Sequence, residues 1–464
     1  MARGNATSTS KSFPTASSRW LQRSALPVSV LQFLAMGNLG VYIQVPFCQT
    51  RCTYCNFHTG VVSSDRFAPY TEAVCQEIRK HRELLRAAGV HWTKGFDWEA
   101  LQEKWVAHDS VDTIYIGGGT PSLLLPELLT SMIHALRETL FCVLEEVTLE
   151  ADPETVDVEK AVHWLVAGIN RISFGTQSFV NEELKAAGRM HRRADIYRSV
   201  RVLRDVGIRN ISFDLIAGLP KQTRESWRQS LDELIELSPE HVSIYMMEID
   251  EDSRLGLEVL RDGPRYSARE LPSEESMVEF YETAQTLLNS AGYGQYEISN
   301  WAKPGFESRH NLKYWRREPY LGFGAGAHSF SGTQRWANIH DAASYVAAIA
   351  GGQVAEEGVE RVTRDAALEE ELFLGLRQLA GIDLRRIERE YGVALQTKVD
   401  RLSSAGMLER EGEVVRVPAG KMSVSNEVFV ELLRDLIPLQ PSQATERRGQ
   451  DELHRGKGQS AGGS

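Results

Sequence analysis

Six short apolar segments, each followed by a longer stretch of helical periodicity, constrain this chain more than any other feature. They are VYIQVPF (41–47), VDTIYIG (111–117), EVTLEA (146–151), RISFGTQ (171–177), NISFDLIA (210–217) and HVSIYMME (241–248). Strand patterns that alternate with amphipathic helices predict consecutive parallel β/α units, because a parallel pair needs a crossover long enough to hold a helix. An open doubly wound sheet and a partial barrel both satisfy the alternation. The polar residues favour the barrel. A cysteine loop follows the first segment and a glycine turn the second; Glu150, Gln177 and Glu248 end the third, fourth and sixth, and Asp214 lies within the fifth. In a barrel the carboxyl ends of all strands face one mouth, so these groups converge there without further assumption. The expected fold class is α/β, a partial (β/α)6 TIM-like barrel.

Other segments surround this unit. Residues 1–38 are rich in Ser and Thr, carry Arg3, Lys11, Arg19 and Arg23, and precede the first acidic residue, Asp65. They read as a disordered leader, with Met36 as an alternative start, or as a mitochondrial transit peptide. The long spacer after the first strand holds Trp92, Trp98 and Trp105 in a polar context and reads as a surface insertion. The barrel with its extension is expected over 39–335. From 365 to 436 the pattern becomes helical, with Leu372, Leu376 and Leu379 at helical spacing. It includes a hairpin in MLEREGEVVRV (407–417) turning at Glu411-Gly412, a winged-helix-like arrangement. Such modules often bind DNA. Here 52 basic residues face 63 acidic ones, a net −11, which argues against nucleic acid and for a packing or partner role. The polar stretch 440–464 reads as a disordered tail. No apolar run approaches the roughly 18 residues of a membrane span, so a soluble globular protein with no integral membrane segment is expected.

Five cysteines in 464 residues are no disulfide framework, and three of them, Cys48, Cys52 and Cys55, share one short loop. Cys75 and Cys142 read as ordinary packed cysteines. Three thiolates suit a [4Fe-4S] cube with one iron left open; a structural zinc wants four ligands, a set that His58 would have to complete. The segment YIQVPFCQTRCTYCNF closely resembles the radical S-adenosylmethionine (SAM) superfamily. Gly117-Gly118-Gly119-Thr120-Pro121-Ser122 closes the second strand. It reads first as a tight strand-to-helix turn, and its three glycines also leave backbone groups open to a ligand. In the superfamily the matching loop holds the methionyl amino group, which implies SAM contacts at Gly118, Gly119 and Thr120.

From about residue 40 to 434 the chain resembles the oxygen-independent coproporphyrinogen III dehydrogenase family. That resemblance implies contacts with SAM or a second SAM-like ligand at Tyr42 in YIQVPFC, Tyr54 in the cysteine loop, Glu150 in LEADPE and Gln177 in GTQSF. It adds Arg189 twelve residues on, Asp214 in FDLIAGLP, and His328 in GAGAHSF near the adenosyl group. Two features depart from the family's enzymes: Phe57 replaces a fourth cysteine, and the leader lacks their patterned N-terminal segment. RHNLKYW (309–315) instead carries the HNxxYW motif of a haem-chaperone branch. His310 offers an imidazole that can ligate iron, and Tyr314 and Trp315 offer flat faces for a porphyrin. A histidine satisfied by its neighbours is the ordinary reading without the resemblance, and His58, His191 and His328 compete as ligands. The GxGxG at Gly322, Gly324 and Gly326 is a weak signal.

The resemblance therefore implies a chaperone that binds haem, a [4Fe-4S] cluster and SAM and delivers haem to haem-requiring respiratory proteins. It further implies an electron donor such as a flavodoxin or ferredoxin, a possible homodimer, and residence in the cytoplasm, peripherally at the membrane, or in the mitochondrial matrix. The alternatives are a coproporphyrinogen III dehydrogenase working by 5′-deoxyadenosyl radical chemistry, or an unassigned radical SAM enzyme. No catalytic residue is assigned.

Overall fold

In the computed structural model the six segments form β1 (Gly37–Val45), β2 (Asp109–Gly118), β3 (Cys142–Ala151), β4 (Arg171–Gln177), β5 (Asn210–Ala217) and β6 (His241–Met246). They pair in sequence order, every neighbour parallel. The structure describes residues 37–56, 59–89 and 109–434. The leader, the Trp92–Trp105 insertion, Phe57, His58 and the tail from 440 lie outside the described residues. The strands run close to their expected bounds, although β6 stops at Met246 and leaves Glu248 in the loop beyond it.

Alternation along each strand divides the core into two faces. Ile172 and Phe174 of β4 pack outward among apolar residues that include Trp164 and Phe213, while Ser173 and Gln177 face a cavity on the inner side. The outer face buries apolar side chains beneath helices such as Phe67–Ala87 and Pro126–Thr139, as a parallel sheet covered by its crossovers must. The inner face is polar, and this division places the site.

The sheet grows past both ends of the six strands. β7 (Gly294–Glu297) and β8 (Asn300–Ala302) add antiparallel beyond β6. β9 (Tyr320–Phe323) joins β1 in parallel, and β10 (His328–Phe330), β11 (Gln334–Asn338) and β12 (Glu356–Arg361) continue from it. The order is β12-β11-β10-β9-β1-β2-β3-β4-β5-β6-β8-β7, so the sheet stays open and the barrel is partial. Among the described residues no helix is long and apolar enough to cross a membrane.

A second apolar core gathers Leu368, Leu372, Leu376, Ile387, Val399 and Phe429. It lies among helices Arg364–Gly375, Leu384–Tyr391, Gln396–Ser404 and Ser425–Leu433 and the small antiparallel sheet β13 (Ile382–Asp383), β14 (Glu409–Glu411) and β15 (Val414–Arg416). Helices interrupted by a hairpin ahead of the last one give the expected winged-helix-like form. The turn sits one position later than expected, because Glu411 pairs with Val414. Gly412, at φ 62°, takes the left-handed conformation that a side chain would disfavour. Arg317 ties this unit to the barrel through Glu370 at 2.9 Å, which also pairs with Arg335 at 2.8 Å.

One buried acceptor fastens the first barrel helix to the sheet extension. Glu77 accepts from Gly324 N at 2.9 Å, Asn338 Nδ2 at 2.7 Å and Tyr345 Oη at 2.5 Å, and burial pushes its carboxyl up to about 7. Glu77→Leu strands all three donors, and a loss of about 3–5 kcal/mol is expected. A urea midpoint unchanged from wild type would mean that those donors find other partners.

Candidate functional site

A cavity of about 840 Å³ opens at the carboxyl ends of the strands. Cys48, Cys52 and Cys55 line it, and so do Tyr54, Gly118, Gly119, Thr120, Glu150, Gln177, Arg189, Asp214, Tyr314 and Trp315. Tyr42, His310 and His328 do not.

The cysteine loop leaves β1 and is pinned by backbone hydrogen bonds from distant segments: Cys48 N to Gly60 O at 3.0 Å, Thr53 N to Ala187 O at 3.0 Å, and Leu255 N to Thr53 O at 2.8 Å. None of the three cysteines is in a disulfide, and all are half-buried. Arg189 reaches over them, donating from Nη1 to Cys52 Sγ at 3.4 Å and from Nη2 to Gly175 O at 2.8 Å and to the Asp152 carboxylate. The thiolate is the form that binds metal. Burial opposes that form at Cys48, pushing its thiol up. Among the described residues no three His, Cys, Asp or Glu side chains gather around a single metal-ion position. Three half-buried thiols from one loop, facing a shared cavity beside a buried cation, fit an iron–sulfur cluster with one iron free of protein ligands.

The glycine turn packs against this loop. Gly118 stands at φ 114°, and its N–H donates to Glu150 Oε2 at 2.9 Å. Gly119 N donates to Val45 O at 2.8 Å and Thr120 N to Phe47 O at 2.6 Å; a Cβ on Gly119 would collide with the Phe47 carbonyl. The glycines thus let two backbones close on each other. The N–H groups that the sequence offered to a ligand are already used by the protein. Glu150 also accepts from Tyr115 Oη at 2.9 Å, yet burial outweighs both bonds and lifts its carboxyl to about 7. Asp214, 3.4 Å from Ser173 Oγ, is raised by burial as well. Gln177 sits at φ 63°, a left-handed strain of about 1–3 kcal/mol held at the end of β4.

The histidines depart from expectation. His310 is 0 % exposed, with Nδ1 2.9 Å from Thr113 Oγ1 and Nε2 2.8 Å from Tyr314 Oη. Both ring nitrogens are engaged, so in this arrangement it is no axial ligand. It holds Tyr314 from behind, and Tyr314 faces the cavity. Burial lowers its pKa to about 3. His328 is exposed on β10, its ring 6.3 Å from that of His340, away from the cavity where an adenosyl contact was expected. His191 is buried with Nε2 3.0 Å from Thr176 O. Tyr42 stacks on Tyr115 at 6.0 Å and donates to Gln44 Oε1 at 2.6 Å, supporting the wall rather than lining it.

Sequence reasoning missed Asp152, Tyr115, Arg171 and Arg377, all on the cavity wall. The period-two alternation could have found Tyr115, two before Gly117, and Arg171, two before Ser173. Arg377 comes from the C-terminal unit, and no local signal announces it.

His310→Ala should cost about 1–3 kcal/mol through the two stranded hydroxyls. Wild type holds this imidazole neutral, so unfolding takes up a proton once the pH is below about 6.5, and stability falls from there towards pH 3. The acid limb of the variant's stability curve should be shallower by about one proton; an identical slope would refute the assignment.

Comparison with known proteins agrees with this architecture. The radical SAM superfamily model matches residues 42–234 and the HemN C-terminal domain model residues 362–419. The heme chaperone HemW of Bacillus subtilis (strain 168) is 34% identical over 402 residues, covering 85% of this chain and 99% of that protein. HemW of Escherichia coli (strain K12) is 34% identical, covering 62% of this chain and 69% of its own length. The mouse radical S-adenosyl methionine domain-containing protein 1, mitochondrial, is 32% identical over 62% of this chain and 60% of its own. Among solved structures, the radical SAM enzyme coproporphyrinogen III oxidase (HemN) of Escherichia coli shares the fold, with a TM-score of 0.70 at 21% identity over 88% of this chain and 93% of that one. The chain therefore belongs to the HemW family of heme chaperones, a branch of the radical SAM superfamily.

Proposed function

We propose that this chain is a haem chaperone that holds a [4Fe-4S] cluster and SAM at the barrel mouth, accepts haem in the same cavity and passes it to haem-requiring proteins. The observation that carries this reading is convergence. Three thiols from one loop, two part-buried carboxyls at Glu150 and Asp214, the Arg189 cation and the Tyr314-Trp315 pair share one cavity. Its volume lies in the range of about 300–1,000 Å³ usual for small-molecule sites.

Cys48, Cys52 and Cys55 would hold the cluster, which when bound supplies an open iron position and a one-electron source. Arg189 offsets thiolate charge beside Cys52 and is itself fixed by Asp152 and Gly175. Glu150, steadied by Tyr115 and Gly118, offers a carboxylate to the ammonium group of SAM, and that cation in turn favours the ionised form over the protonated one. Gln177 offers a polar group at the end of β4 and Asp214 one deeper in, and Tyr314 and Trp315 offer a flat face. Trp315 belongs to both units, since its carbonyl accepts from Gln378 Nε2 at 3.1 Å. Haem-accepting proteins are the partners of such a chaperone. A flavodoxin- or ferredoxin-type donor and a homodimer belong to the same proposal, as does a reducing compartment, the cytoplasm or the mitochondrial matrix, in which the three cysteines stay out of disulfides.

The second reading is a coproporphyrinogen III dehydrogenase, for which the same mouth would serve; RHNLKYW favours the chaperone. Anaerobic protein with a reconstituted cluster should bind haem, followed by its Soret band, and should leave coproporphyrinogen unchanged. Turnover without haem uptake would overturn the reading. Cys52→Ser should abolish the cluster's visible absorbance while the far-ultraviolet circular dichroism stays native. An intact cluster in that variant would remove the loop from the metal site.

A further inference from the structure

The floor of the cavity holds a buried cation that none of the roles above uses. Arg171 begins β4, and its side chain is only 1 % exposed yet lies on the cavity wall. Its Nε and Nη1 are sealed from solvent and have no hydrogen-bond partner among the described residues. A guanidinium carries five donors and stays charged, so leaving donors unmade in a buried position is costly. The cavity carboxyl that feels this charge, Asp214, is occupied by the hydroxyls of Ser173 and Ser243. The other groups around the floor, His241, Tyr296 and His310, are neutral and bonded elsewhere: His241 to Ser212 and Tyr296, His310 to Thr113 and Tyr314. A fixed positive charge is therefore placed at the closed end of the cavity, and among the described residues no carboxylate makes an ion pair with it.

From these observations we infer that Arg171 is an anchor for a carboxylate of the bound guest, a propionate side chain of the tetrapyrrole. This rests on the haem reading above and adds to it the group that sets orientation. The position supports a guest other than SAM. Gln177 lies at the mouth beside the cysteine loop, and Arg171 is six residues earlier on the same strand, about 20 Å down the strand axis. A ligand reaching Arg171 must extend past the mouth to the floor and present an anion there. An extended tetrapyrrole with acidic side chains has that form. With a propionate on Arg171, the macrocycle would lie between the floor and the flat pair Tyr314 and Trp315.

The test uses the full-length, cluster-loaded chain and two probes, haem and haem dimethyl ester, whose propionates are capped. Wild type should bind haem about 10- to 100-fold more tightly than the ester, the size expected of a charge-assisted hydrogen bond. Arg171→Gln should lose most of that discrimination by weakening haem while leaving the ester where it was, and Arg171→Lys, which keeps the charge, should retain part of it. SAM affinity and the cluster spectrum should not move in either variant. Equal affinity of wild type for the acid and the ester would overturn the inference even if Arg171→Gln failed to fold. Undiminished discrimination in both variants would overturn it too, as would loss of SAM binding with haem unaffected, which would assign Arg171 to the carboxylate of SAM. A wild type that takes up neither tetrapyrrole would instead refute the haem reading itself.

Discussion

Parallel pairing of six strands in sequence order is the constraint from which the site follows. Each strand must return to the same edge, so six carboxyl ends and the loops that leave them surround one opening. Residues separated by more than 150 positions, such as Cys55 and Asp214, share a cavity for that reason alone. The crossover helices cover the outer face, and the inner face is free to be polar. Thr113, Glu150, Ser173, Asp214 and Ser243 occupy inward positions where an apolar barrel would carry Val or Leu.

A polar interior is costly unless its groups satisfy one another, and several groups at the mouth do so. Glu150 is bonded by Tyr115 and Gly118, Arg189 by Asp152 and Gly175, and His310 by Thr113 and Tyr314. These bonds fix side chains that would otherwise be mobile, and the site is held ready before any ligand arrives. Burial raises the carboxyls of Glu150 and Asp214, so a cationic partner favours the ionised form of each. Arg171 keeps two buried donors, Nε and Nη1, without a hydrogen-bond partner among the described residues.

Much of this was legible in the linear chain. The alternation of segments announced the strands, and β4 and β5 run over the residues that their patterns predict. The cysteine spacing, the glycine turn and the polar residues at strand ends marked one side of the cavity. The histidines were misleading because a sequence shows that an imidazole is present and not whether its nitrogens are taken. His310 is filled by Thr113, which lies 197 positions away, and His328 sits on β10, a strand whose direction is set by its pairing with β9 and β11. The glycines were legible as necessary, but for a different reason: they admit the Phe47 backbone rather than a ligand.

By itself, the order of residues settled which segments are strands, which loop carries three thiols and which motifs place the chain in its family, because those properties reside in short windows of local periodicity and spacing. Tertiary structure alone decided that Arg189 reaches Cys52, that Arg377 of the C-terminal unit joins the cavity wall, and that Arg171 keeps unbonded donors at its floor. The reason is that hydrogen bonding and burial depend on neighbours brought close by folding, and a side chain's chemical availability is set by who those neighbours are.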